Sequence, residues 1–116
     1  MHNFRKLDIW KKSIDFVTKI YLLTNTFPSY ERFGLISQMQ RAAVSIPTNI
    51  GEGSAKSSNK DFARFLEMSL GSSIELETEL TIALNLKYIE SQIFETLQNE
   101  IIELQKMITG FKNKLD

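Results

Sequence analysis

Cysteine is absent from this chain, histidine occurs once and proline only twice. Without cysteine there is no disulfide framework, no thiolate metal site and no thiol nucleophile. A lone histidine, His2, excludes the usual zinc ligand sets and the paired Glu-x-x-His motifs of di-iron bundles. It also leaves no imidazole base to activate a serine such as Ser45. His2 itself reads as an inert residue in a mobile terminal segment. No apolar run approaches the roughly 18 residues that span a bilayer. The opening Met1-His2-Asn3-Phe4-Arg5-Lys6-Leu7-Asp8 has neither the apolar stretch nor the cleavage site of a secretory signal. No membrane partner and a cytoplasmic location are therefore expected.

Net charge is lacking too, since fourteen Lys/Arg balance fourteen Asp/Glu. The chain does not have the strongly basic character of a dedicated nucleic-acid binder. That balance conceals a split: residues 1–60 carry nine Lys/Arg against four Asp/Glu, and residues 61–116 carry five against ten. Such asymmetry supplies a basic face for nucleic acid, or draws one copy of a protein to another. With 42% hydrophobic and 24% charged residues, the 116 positions are expected to form one globular domain with a real core.

What the chain has in quantity is helical periodicity. Ile9, Trp10, Ile14, Val17, Ile20, Tyr21 and Thr24 recur at steps of three and four behind Asp8, a candidate N-cap, and Pro28 ends the segment. Leu35, Met39, Ala42, Ala43, Ile46 and Ile50 continue the pattern in a second segment. The loop Ser54-Ala55-Lys56-Ser57-Ser58-Asn59 offers Ser58 or Asn59 to cap a third. Phe62, Phe65, Leu66, Ser69, Leu76, Leu80, Ala83 and Leu84 form the third stripe. Phe94, Leu97, Ile101, Leu104, Ile108, Phe111 and Leu115 form the cleanest, over three heptads. Four helices at about 8–25, 30–53, 60–86 and 91–115 with short loops predict an all-α, up-down-up-down antiparallel four-helix bundle.

Gln40 to Gly53 is the stretch least suited to a plain helix. Proline in a helix interior costs about 3 kcal/mol and glycine about 1 kcal/mol relative to alanine, yet Pro47, Gly51 and Gly53 all stand here. Pro47 is expected to kink a continuous helix, with Ser45, Thr48 and Asn49 satisfying freed backbone groups; a break before Pro47 is the competing reading. Gly53 reads as a left-handed terminator. Folding the third helix back on the second places residues whose numbers sum to about 114 side by side. Ala42, Ala43 and Ser45 then meet Gly71, Ser72, Ser73 and Ser69, so Gly71 gains a packing reason. The same register predicts a partly buried Arg41–Glu75 pair. Packing accounts least well for Arg41 and Glu52.

No constellation of residues carries an evident reaction. Glu75, Glu77 and Glu79 are the densest acidic cluster, but a Mg²⁺-dependent nucleotide hydrolase needs matching carboxylates on a second helix, and only the distant Glu52 is there. Gly51-Glu52-Gly53-Ser54-Ala55-Lys56-Ser57 matches neither phosphate-loop pattern. No catalytic residue, metal site or cofactor is expected. Arg5, Lys6, Lys11 and Lys12 cluster at the first helix, and Arg41, Lys56, Lys60 and Arg64 spread along the next two. Phosphate contacts need little more than such cations, but no aromatic platform for bases is evident.

The run from Gly34 to Gly53, GLISQMQRAAVSIPTNIGEG, resembles the signature of the 23S ribosomal RNA intervening-sequence proteins. Leu7-Asp8-Ile9-Trp10-Lys11-Lys12, Phe27-Pro28-Ser29-Tyr30-Glu31, Asp61-Phe62-Ala63-Arg64-Phe65-Leu66 and Gly71-Ser72-Ser73-Ile74-Glu75-Leu76-Glu77 match in the right order. The resemblance implies a small bacterial four-helix bundle, a homopentameric ring and no enzymatic activity. It also implies a similarity to an accessory protein of diversity-generating retroelements, thought to bind nucleic acid and a reverse transcriptase. The chain departs from the pattern where Gln40 replaces an arginine, where Leu70 replaces another before Gly71, and where Gly51 replaces alanine. The expectation is a non-catalytic, oligomeric adaptor for RNA or DNA using Arg5, Lys6, Lys11, Lys12, Arg41 and Lys56. The alternatives are a self-assembly subunit that binds only protein and, more remotely, a metal-dependent nucleotide hydrolase.

Overall fold

The computed structural model describes residues 2–115. Its helices are α1 (Asp8–Thr24), α2 (Leu35–Ser54), α3 (Asn59–Asn85) and α4 (Ser91–Asn113), with short 3-10 turns at Phe4–Lys6 and Ser29–Glu31. Among the described residues there is no strand. Cross-helix contacts fix the directions. Trp10 lies by Gly51 and Thr24 by Gln40; Ser45 meets Ser72 while Gly53 meets Phe62. Glu67 meets Lys112 and Glu77 meets Gln105, and Lys12 and Lys19 of α1 reach Glu103 and Glu100 of α4. Each helix therefore runs antiparallel to its neighbours around a shared core. Ile20, Met39, Ile46, Ile50, Phe62, Leu66, Leu76, Leu80, Ile101 and Ile108 are fully enclosed there.

Two helix starts and part of one face differ from the sequence expectation. α2 starts at Leu35 rather than near residue 30, because Ser29–Glu31 forms a separate turn and Gly34 leaves helical geometry at φ −111°, ψ −112°. The Glu31 carboxylate then accepts the Leu35 N–H at 3.1 Å, closing the new helix end from outside. Asp8 is the first residue of α1, not its cap, which is Leu7. The inward side of α1 keeps Ile9, Ile20 and Thr24 of the expected stripe but differs in part. Ser13 and Phe16 are buried, whereas Ile14 and Tyr21 of the expected stripe are exposed. Ser13 is accommodated because its hydroxyl donates to the Trp10 carbonyl at 2.8 Å. The Ser58 cap forms as expected, its Oγ accepting from Asp61 N at 3.1 Å. α3 ends in a Schellman turn, with Tyr88 N donating to Ala83 O and Lys87 at φ 65°, a left-handed position that usually takes glycine.

α2 is unbroken through Pro47. Pro47 deprives the Ala43 carbonyl of its donor, but the side chains expected to replace it bond elsewhere: Thr48 Oγ1 donates to Val44 O at 2.8 Å, Asn49 Nδ2 to Ser45 O at 2.9 Å, and Ser45 Oγ is an acceptor. The seam with α3 is close. Ser69 Oγ donates to Ile46 O at 3.0 Å, and Ser45 Oγ accepts from Ser72 Oγ at 2.8 Å. A Cβ on Gly53 would stand 2.7 Å from Phe65 Cβ and 2.8 Å from Phe62 Cδ1. Gly53 is therefore not a left-handed terminator, since no glycine has positive φ. It is the point where α2 and α3 touch backbone to ring. Gly71 reverses the other expectation: a Cβ there would meet nothing within 4 Å, so close helix contact does not explain it.

Candidate functional site

The N-terminal segment is docked. His2 N donates to Ser54 O at 3.1 Å, and the His2 ring lies 5.1 Å from Phe62 and 5.8 Å from Phe111. This gathers the chain start, the end of α2, the start of α3 and the end of α4 at one end of a bundle 43 Å long. Cations concentrate in that half. Of the fourteen Lys/Arg only Lys19, Arg32, Arg41 and Lys87 lie in the other half, which also holds Glu31, Glu75, Glu77, Glu79, Glu90, Glu95 and Glu100.

Several cations at the basic end rest on aromatic rings. The Arg5 guanidinium lies 4.6 Å from the Phe4 centroid, and Lys56 Nζ lies 5.0 Å from that of Phe65, which Arg64 also covers at 5.1 Å. Arg64 is 3.8 Å from Asp61, and Lys112 is 3.2 Å from Glu67. Among the described residues, Arg5, Lys6, Lys56, Lys60 and Lys114 make no ion pair there. The fold thus unites Arg5, Lys6 and Lys56 of the residues expected to contact nucleic acid, and adds Lys60 and Lys114. Lys11 is exposed on α1 in the same half and Lys12 there pairs with Glu103 at 3.0 Å, whereas Arg41 lies in the opposite half. Lys19–Glu100 at 2.8 Å likewise uses part of the charge asymmetry within the chain.

Arg41 and Glu75 line one groove of about 360 Å³ between α2 and α3, with Gln38, Ser45 and Ser72, but no ion pair joins them. Glu75 instead lies next to the Glu79 carboxyl, one turn along α3. Glu79 is only 5% exposed, its Oε1 has no partner, and burial, followed by the Glu75 charge and hydrogen bond, pushes its pKa up to about 7. Glu77 turns to α4, accepting from Gln105 Nε2 at 3.0 Å. Glu77 thus points away from Glu75 and Glu79, and among the described residues no three His, Asp or Glu side chains gather as metal ligands. Ser45 accepts from Asn49 Nδ2 at 2.9 Å as well as from Ser72, the arrangement of a structural hydroxyl. Glu52 is exposed on α2.

The far end carries what sequence reasoning missed. Tyr88 donates to Glu31 Oε2 at 2.9 Å and lies 3.2 Å from the Tyr30 hydroxyl. The Tyr30 hydrogen bond, then burial and Glu31, hold its phenol well above the ordinary tyrosine range. Beside it Tyr30 is 78% and Phe33 91% exposed, with the Arg32 guanidinium 5.7 Å from the Phe33 centroid. The only sequence signal was an aromatic residue outside the helical repeat, directly before Gly34.

A model of the 23S rRNA-intervening sequence protein matches residues 5–110. Six solved chains match. One is a protein of unknown function from the S23 ribosomal protein family of Bacteroides thetaiotaomicron VPI-5482. It is 25% identical with a TM-score of 0.83, over 91% of this chain and 96% of that one. No curated protein matches. Among the described residues no helix is long and apolar enough to cross a membrane.

Proposed function

The chain belongs to the 23S rRNA-intervening sequence protein family, and on that footing we propose that it is a non-catalytic, self-associating bundle whose basic end engages structured RNA. The observation behind this reading is the gathering of Arg5, Lys6, Lys56, Lys60 and Lys114, none of them ion-paired, from four separate parts of the chain. Phosphate binding needs charge and access, and these side chains offer both. Stacking of Arg5 on Phe4 and Lys56 on Phe65 limits their freedom, lowering the entropy lost on contact. The test is fluorescence anisotropy with a structured RNA across a salt series. Binding should weaken steeply with salt, and reversing Lys6, Lys56 and Lys60 to Glu should flatten that dependence by roughly one log unit per lost phosphate contact. Absence of binding at low salt overturns the reading.

A second reading, a self-assembly subunit that binds no nucleic acid, is favoured by the exposure of Phe33 and Tyr30. It predicts an oligomer by light scattering, a ring of five on the family resemblance, with no response to RNA or DNA. Mg²⁺-dependent nucleotide turnover abolished by Glu75→Gln would establish a hydrolase instead.

A further inference from the structure

Phe33 and the seam between α1 and α4 are complementary in shape and in charge. Phe33 stands almost free of its own chain, 91% exposed, with Arg32 beside it and no ion pair on that guanidinium. A cleft of about 420 Å³ opens between the end of α1 and the start of α4, floored by Leu23 and Leu97 and walled by Leu22 and Ile93. Leu22 is 64% exposed and Ile93 45%. Two carboxylates rim this cleft. Glu100 is neutralised by Lys19 at 2.8 Å, and Glu90, exposed ahead of α4, has no ion pair.

We propose that Phe33 of one copy inserts into the α1–α4 cleft of a second copy, with Arg32 meeting Glu90. Knob and cleft belong to the same end of the bundle but to neighbouring sides, one between α1 and α2, the other between α1 and α4. A contact between two different patches at one height is heterologous, the kind that builds a ring where its rotation closes and a filament where it does not. An aromatic residue with an adjacent arginine is the usual chemistry of an interface hot spot. The cleft is mostly apolar but acidic at its mouth, which selects a knob carrying a cation. The inference rests on the self-association reading and adds to it the contact surface.

Light scattering and sedimentation equilibrium of the full chain at micromolar concentration test it. Phe33→Ala, at a solvated position where the fold has nothing to lose, should weaken association by roughly tenfold or more, as should Leu22→Glu in the cleft. Arg32→Glu and Glu90→Arg should each weaken it, and the two together should restore it. An oligomer unchanged by Phe33→Ala, or two charge reversals without mutual rescue, overturns this contact while leaving self-association intact. A wild-type monomer overturns both.

Discussion

The α2–α3 seam and the α1–α4 seam solve the same packing problem in opposite ways. Between α2 and α3 small residues bring the helices together. Gly53 fits under Phe62 and Phe65, Ser69 bonds the Ile46 carbonyl, and the one ionisable group buried there, Glu79, has no cation. Between α1 and α4 the contact is more open. Two ion pairs bridge the gap, Lys12–Glu103 and Lys19–Glu100, above open clefts. The first seam should answer to shape and proton concentration, the second to salt.

The largest expected effect is on the first seam. Glu79 has a folded pKa of about 7 against an ordinary 4.5. Its contribution is complete below pH ~4.5 and disappears as pH rises through about 7, a loss of about 3 kcal/mol. Glu79→Gln should abolish this slope in urea unfolding followed from pH 5 to 8, gaining most stability at pH 8. A slope unchanged in the variant would show the burden lies elsewhere. Next comes Gly53→Ala, which should cost roughly 2 kcal/mol by overpacking. Gly51→Ala makes only ordinary contacts with Phe4 and Trp10 at 3.8–3.9 Å and should be neutral or slightly stabilising by thermal melt. Ser69→Ala removes one interhelix hydrogen bond and should cost about 1 kcal/mol. The smallest destabilisation belongs to the second seam. Lys19→Met should cost about 0.5 kcal/mol or less at low salt and nothing at high salt. A Lys19 effect larger than that of Gly53 would invert the comparison.

Much of this was legible in the residues. The three heptads of α4 bury Phe94, Leu97, Ile101, Leu104 and Ile108 as their spacing predicts, because nothing competes with that periodicity. The α2–α3 register was readable because small side chains coincide at one height in both helices. The inner face of α1 was legible only in part: Ile9, Ile20 and Thr24 were read, but Ser13 is polar by type yet satisfied locally, and no periodicity count admits it. Arg41 and Glu75 were matched correctly to one groove, but a shared height does not fix where two side chains point, and no ion pair joins them. In the basic end, Arg5, Lys6 and Lys56 were legible. Lys114 was not, because its place depends on where α4 returns. Phe33 was missed for a different reason, as exposure leaves no mark on a hydrophobic letter.

The division of charge between the two ends gives the molecule an electric moment along its long axis. A polyanion approaching from a distance exerts a torque before any contact is made, turning the basic end toward itself. Copies arranged in parallel around a ring would add their moments rather than cancel them. Such an assembly would present one polarised face to a nucleic acid and a repelling one on the reverse, so its sidedness would be decided in solution, before the first phosphate is touched.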